Sequence, residues 1–167
     1  MDKRYFIIIL IILVCLVNLY VIVDFSDVVG SSYTNVGKYT FSLPPGFDLG
    51  GSQDKSVAII HNPKNNLDIA VYSLDKGDYN YSLGLDQLNN NSKINIISNG
   101  TLYVDDISVD AVYYDDLSTN SSKSIFYFQK DNHPFRINMV NVDINDKNKT
   151  IDDLVFIIRS IRLNYKI

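Results

Sequence analysis

The sequence predicts an α+β domain: an antiparallel β-sheet with a short helix and a C-terminal amphipathic helix packed on it, preceded by one N-terminal transmembrane helix. Three observations carry this. An uncharged apolar run extends from Tyr5 to Val23. Downstream, segments rich in Ile, Val, Tyr and Phe alternate with polar residues and are punctuated by Asn, Asp, Gly and Pro, the pattern of strands and turns. Near the end the apolar spacing switches to three and four residues, the helical period.

The anchor comes first in the chain. As a helix, the 19 residues from Tyr5 to Val23 span about 28 Å, close to the hydrocarbon thickness of a bilayer. A cleaved signal has a shorter apolar region with a small-residue site directly behind it, whereas this run ends in Val23-Asp24-Phe25. The residues before Cys15 are Leu13 and Val14, not the small residues that lipid attachment requires, and no Gly or Ala precedes the run as in a pilin. Lys3 and Arg4 before the span and Asp24 and Asp27 after it orient the N-terminus to the cytoplasm. The expected organisation is therefore a cytoplasmic N-terminus at residues 1–4, a cell-membrane anchor at 5–23, a flexible stalk at 24–37 and an extracytoplasmic domain at 38–167. The stalk rests on the Gly/Ser/Asn-rich stretch "DFSDVVGSSYTNVGK".

The elements of the domain follow in order. "KYTFSL" from Lys38 is a strand stopped by Pro44-Pro45-Gly46. "SVAIIH" and "LDIAVYSL" flank "NPKNN", a hairpin with Asn65 or Asn66 in the left-handed position. Leu83, Leu85 and Leu88 behind Ser82 predict a short helix capped by that serine. "KINIIS" and "TLYVDD" meet at Asn99-Gly100, a two-residue hairpin signal. "ISVDAVYYDD", "KSIFYFQK" and "FRINMVNVD" complete the meander, the last two joined by "DNHP". In the final strand Phe135, Ile137 and Met139 alternate with Arg136 and Asn138, as on a half-buried strand. Ile151, Leu154, Val155, Ile158 and Ile161 then form the apolar stripe of a closing helix, with Thr150 as its expected N-cap and Asp152 and Asp153 in its first turn.

Two stretches resemble the PsbP-like superfamily, whose fold is shared with a Ran-binding nuclear import factor. "YTFSLPPGF" (Tyr39 to Phe47) is similar to that family's aromatic strand and Pro-x-Gly-aromatic turn, with Phe47 where the family usually has Trp. "IDDLVFIIRSIRL" (Ile151 to Leu163) resembles its terminal helix. The resemblance covers about residues 37–163. It implies a non-catalytic binding or assembly module and transfers no site residues.

Composition excludes several chemistries. Cys15 is the only cysteine, so the domain has no thiol for a disulfide, a thiolate metal site or a nucleophile. Beyond Arg4 there are 13 basic and 18 acidic residues, a net charge of −5 without a basic cluster, which speaks against nucleic acid. His61 and His133 are weak candidates for a zinc site if their hairpin ends converge with an Asp. The pairs Asp105-Asp106, Asp115-Asp116 and Asp152-Asp153 are explained by strand ends, turns and a helix start. "DINDKNKTIDD" lacks the Gly and the Glu of a calcium loop. Tyr72, Tyr79, Tyr81, Tyr113, Tyr114 and Tyr127 offer a face that would stack on sugar or dock a protein. Sequons at Asn80, Asn90, Asn99, Asn120 and Asn148 are candidate glycosylation positions where the host has the machinery.

The expectation is thus a membrane-anchored extracytoplasmic module without catalytic residues, metal or cofactor, whose partners are the membrane through residues 5–23 and another membrane or cell-surface protein. The competing class is a surface hydrolase or metal-dependent enzyme that assembles Asp and His residues by folding.

Overall fold

A computed structural model describes residues 32–51, 54–143 and 147–164. The expected cytoplasmic N-terminus and anchor, residues 1–4 and 5–23, lie outside the described residues. Among the described residues no helix is long and apolar enough to cross a membrane.

The elements run β1 (Tyr33–Val36), β2 (Tyr39–Ser42), β3 (Asp48–Gly51), β4 (Val57–Asn62), β5 (Leu67–Ser73), α1 (Tyr81–Asn89), β6 (Ile94–Val104), β7 (Ile107–Asp116), β8 (Ser121–Lys130), β9 (His133–Val140), α2 (Lys147–Ser160) and β10 (Arg162–Leu163). Seven strands form one antiparallel sheet in the order β3-β4-β5-β9-β8-β7-β6, and β1-β2-β10 form a smaller one. The expected α+β architecture with two helices is present. Its central joint is the pairing of β5 with β9, Ile69 opposite Met139 and Val71 opposite Ile137.

Several local expectations are corrected. Tyr33 to Val36, assigned to the stalk, pair with β2, and Val36 is fully buried. Gly37, at φ +61°, makes the intervening turn. Asn99-Gly100 makes no hairpin: β6 runs straight through it, with Asn99 opposite Val112 and Gly100 opposite Ala111, because a long cross-strand register outweighs one local turn preference. The reversal comes at Asp105-Asp106, with Asp105 in the left-handed region. Asn80 rather than Ser82 caps α1, its Oδ1 accepting from the Leu83 N–H at 2.9 Å. β3 and β10, which the pattern did not predict, are short and held by their neighbours β4 and β2.

Strand alternation builds the core on one face. Ile60, Ile69, Val71, Phe126, Phe128, Phe135, Ile137 and Met139 point inward and are fully buried. Phe128 stacks on Phe135 with centroids 5.4 Å apart. Leu154, Ile157 and Ile158 of α2 close this layer, each contributing roughly 1.5–3 kcal/mol of burial. The Lys130 ammonium donates to the Ile158 and Arg159 carbonyls at 2.6 and 3.1 Å, capping the negative end of the helix. The Ser42 N–H donates to Ser160 Oγ at 3.1 Å, tying both ends of the domain together.

The closing helix starts earlier than its stripe suggested. Thr150 lies inside the first turn and is buried, so it is no N-cap, and Asp152 and Asp153 fall in the second turn. Asp153 lines a pocket of about 220 Å³ with Asn65, Asn141 and Lys149, and its Oδ2 is buried without a hydrogen bond. Burial pushes its pKa up to about 6, with Lys149 pulling it down and Asp152 adding to the rise.

Two outcomes are expected. Phe135→Ala removes the ring at the central joint and costs about 3–5 kcal/mol, read as a collapse of the melting temperature. For Asp153 the folded-state pKa exceeds the unfolded value, so stability is lost as pH rises through about 4 to 6. Asp153→Asn should therefore melt a few degrees higher relative to the parent at pH 7.5 than it does at pH 4; an offset independent of pH contradicts this.

Candidate binding face

The second face of the large sheet carries the site. Across β4, β5, β9 and β8 the register aligns Val57, Tyr72, Arg136 and Tyr127 in one row and Ile59, Ala70, Asn138 and Ile125 in the next. A third row holds His61, Asp68, Val140 and Lys123. Residues directly opposite across strands share a face, and these all oppose the core.

α1 covers only one side of this face. Gly84 brings the helix onto Tyr127, where a Cβ would stand 2.8 Å from the phenol oxygen. Tyr79 and Tyr81 meet the Tyr127 ring edge-on at 6.1 and 5.9 Å. Val112, Tyr114 and Tyr127 are accordingly buried, while Ile59, Ala70, Tyr72, Arg136, Asn138 and Val140 stay half-exposed. The tyrosines expected as an exposed face thus divide. Tyr113 points into the core, Tyr114 and Tyr127 lie under the helix, and Tyr72 borders the open part.

Arg136 sits at the centre. Its guanidinium carbon lies 4.2 Å from the Tyr72 ring centroid, a cation–π contact. Arg136 Nε and, two residues on, Asn138 Oδ1 are buried without hydrogen-bond partners. Other acids of the sheet have partners of their own. Asp68 Oδ1 meets His61 Nδ1 at 2.7 Å, Lys123 Nζ donates to Asp116 Oδ2 at 2.7 Å, and Thr101 Oγ1 donates to Asp110 Oδ1 at 2.8 Å. The bond from Lys123 holds the Asp116 carboxyl well below the usual carboxylate range. Arg136 has no ion pair among the described residues. Its charge reaches Tyr114, whose phenol burial pushes up while Arg136 pulls it back. The arrangement is a cation and an amide carbonyl on a rigid central strand, in a setting of apolar and aromatic side chains. It can bind an anion-bearing surface; it holds no nucleophile activated by a base.

The histidines do not converge. His61 lies in β4 on this outer face, against Asp68. His133 lies in β9 on the core side, 4.6 Å from the Tyr39 ring, with Ser73 Oγ 2.7 Å from its Nε2. Asp68 and Ser73 are five residues apart along β5, about 17 Å, so the imidazoles sit on opposite faces and at opposite ends. His61 is the second-to-last residue of β4 and His133 the first of β9, so both do lie at hairpin ends. Burial lowers the His133 pKa, with Lys38 adding to the effect. Among the described residues no group of three His, Cys, Asp or Glu is placed to hold a metal ion.

The sequon asparagines are all exposed. Asn80 and Asn90 cap the two ends of α1, Asn99 lies in β6, Asn120 takes a left-handed turn position and Asn148 is in the first turn of α2. A groove of about 490 Å³ lies among Tyr79, Asp106, Gln129, Lys130, Asp131 and Asn132. Its cation, Lys130, is the one committed to the end of α2.

Arg136 and Asn138 were visible as the polar half of an alternating strand. What marks them as a site is the central position of β9, which depends on a pairing across more than sixty residues.

No protein-family model matches the chain, and no curated protein matches it. Among solved structures it is similar to the solution structure of cyanobacterial PsbP (CyanoP) from Synechocystis, at 12% identity and a TM-score of 0.45, covering 79% of this chain and 91% of that one. It is also similar to a crystal structure from Bacteroides thetaiotaomicron at 9% identity and a TM-score of 0.45, covering 81% of this chain and 49% of that one, so it spans about half of that protein.

Proposed function

We propose that this chain is a membrane-tethered, extracytoplasmic, non-catalytic binding or assembly module that docks a membrane or cell-surface protein on the open half of its outer sheet face. The observation that supports it is Arg136, a half-exposed side chain on the central strand with no ion pair among the described residues. Its guanidinium stays charged at any working pH, and leaving that charge part-buried without a counter-charge is costly. A docking surface keeps it for a carboxylate of the partner, where a planar fork forms two parallel bonds. The apolar run Tyr5–Val23 is the proposed tether, with the positive residues at its head holding the domain outside.

Photo-crosslinking tests this. In the full-length protein within its native membrane, a photoreactive residue at Ile59 should give a reproducible adduct with one membrane or surface protein. The same residue at Asn91, beyond α1, should give none. Arg136→Gln should cut the Ile59 adduct about 30-fold, the equivalent of about 2 kcal/mol for a central arginine, with the circular dichroism spectrum unchanged. Equal adducts from both positions, or an Ile59 adduct indifferent to Arg136→Gln, would overturn the proposal.

A further inference from the structure

The two edges of the large sheet are built differently. At one end β3 is four residues long, carries Asp48, and breaks register between Leu49 and Gly51, with Gly51 at φ +99°. Shortness, charge and a bulge are the usual means of keeping an edge strand from pairing. At the other end β6 is eleven residues long, INIISNGTLYV, and contains no charge and no proline. Its register breaks once, between Ile96 and Ser98, and the seven residues from Ser98 to Val104 pair regularly with β7.

Among the described residues no strand pairs with the free side of β6. Between Asn95 and Tyr103 no backbone group bonds outside the β6–β7 ladder among the described residues. α1 lies on the outer face over β6 to β8, reaching Tyr127, and makes no backbone hydrogen bond to β6 between Asn95 and Tyr103. Tyr103 is 74% exposed. On the core side, a groove of about 190 Å³ runs along Ser98 to Leu102 and is backed by Ala111 and Tyr113, giving an added strand's inward side chains a place to sit.

We infer that β6 is an interface on which a second copy of this chain pairs, antiparallel and about a two-fold axis within Ser98–Val104, joining two sheets into one. A two-fold antiparallel pairing sets the strand against itself, residue i opposite j and j opposite i. An uncharged strand meets no like charge in any such register, and its β-branched and aromatic residues fit cross-strand pairs. β6 is itself a strand of that chemistry, present at equal concentration with every copy. Copies tethered in one membrane would meet at raised effective concentration. Asn99, a sequon residue, lies on this edge, so a glycan there and the pairing exclude one another.

Cysteine scanning of the full-length protein carrying Cys15→Ser tests the inference. Single cysteines at Asn99, Thr101 or Tyr103 should give disulfide-linked dimers on mild oxidation, strongest at the one position nearest the two-fold. Their yield should exceed that of Asp48→Cys on β3 at least tenfold. Adding Thr101→Lys and Tyr103→Lys, which bring like charges together across the axis, should weaken dimerisation at least tenfold in mass photometry while circular dichroism stays unchanged. The inference is overturned by equal crosslinking at Asp48, by a dimer indifferent to the lysines, by β6 crosslinks only to a different protein, or by a glycan on Asn99 in most copies.

Discussion

Everything in this domain depends on the pairing of β5 with β9. It joins a hairpin from the first half of the chain to a meander from the second, and it places β9 at the centre of a seven-stranded sheet. One face of that strand, Phe135, Ile137 and Met139, becomes the middle of the core under α2. The other face, Arg136 and Asn138, becomes the middle of the candidate binding surface. Alternation makes the two inseparable, since a one-residue slip would exchange core and surface.

The same geometry explains why a polar pair can stand unbonded there. A central strand has no free edge, so neither side chain can reach unpaired backbone beside it, and α1 stops short over β6 to β8. Tyr72 holds the guanidinium by its ring, and no carboxylate pairs with it among the described residues. Arg136 is therefore poised rather than consumed. The exposed pair between Arg159 and Asp105 shows the contrast: both partners are satisfied in water, and the pair contributes little.

Strand alternation and helical period were legible because they are local. Phe135 to Met139 and the stripe from Ile151 to Ile161 announced their inward faces by spacing alone. Features set by distant pairing were not legible. Asn99-Gly100 has strong turn chemistry, yet β7 holds it extended. Tyr33–Val36 looked like linker until β2 was there to pair with it. Thr150 looked like a cap because residues before it carry no apolar stripe, although the helix begins at Lys147. The histidines show the same limit, for their hairpin ends could be read from the sequence, and only the strand register put them on opposite faces.

Hydroxyl-radical footprinting of the purified full-length protein reads both faces of β9 in one experiment. Tyr72 and Ile59 should be oxidised readily, whereas Met139, chemically the more reactive side chain, should stay protected on the core face together with Phe135. Oxidation of Met139 at a rate comparable to Tyr72, or full protection of Tyr72 and Ile59 in the isolated protein, would contradict it.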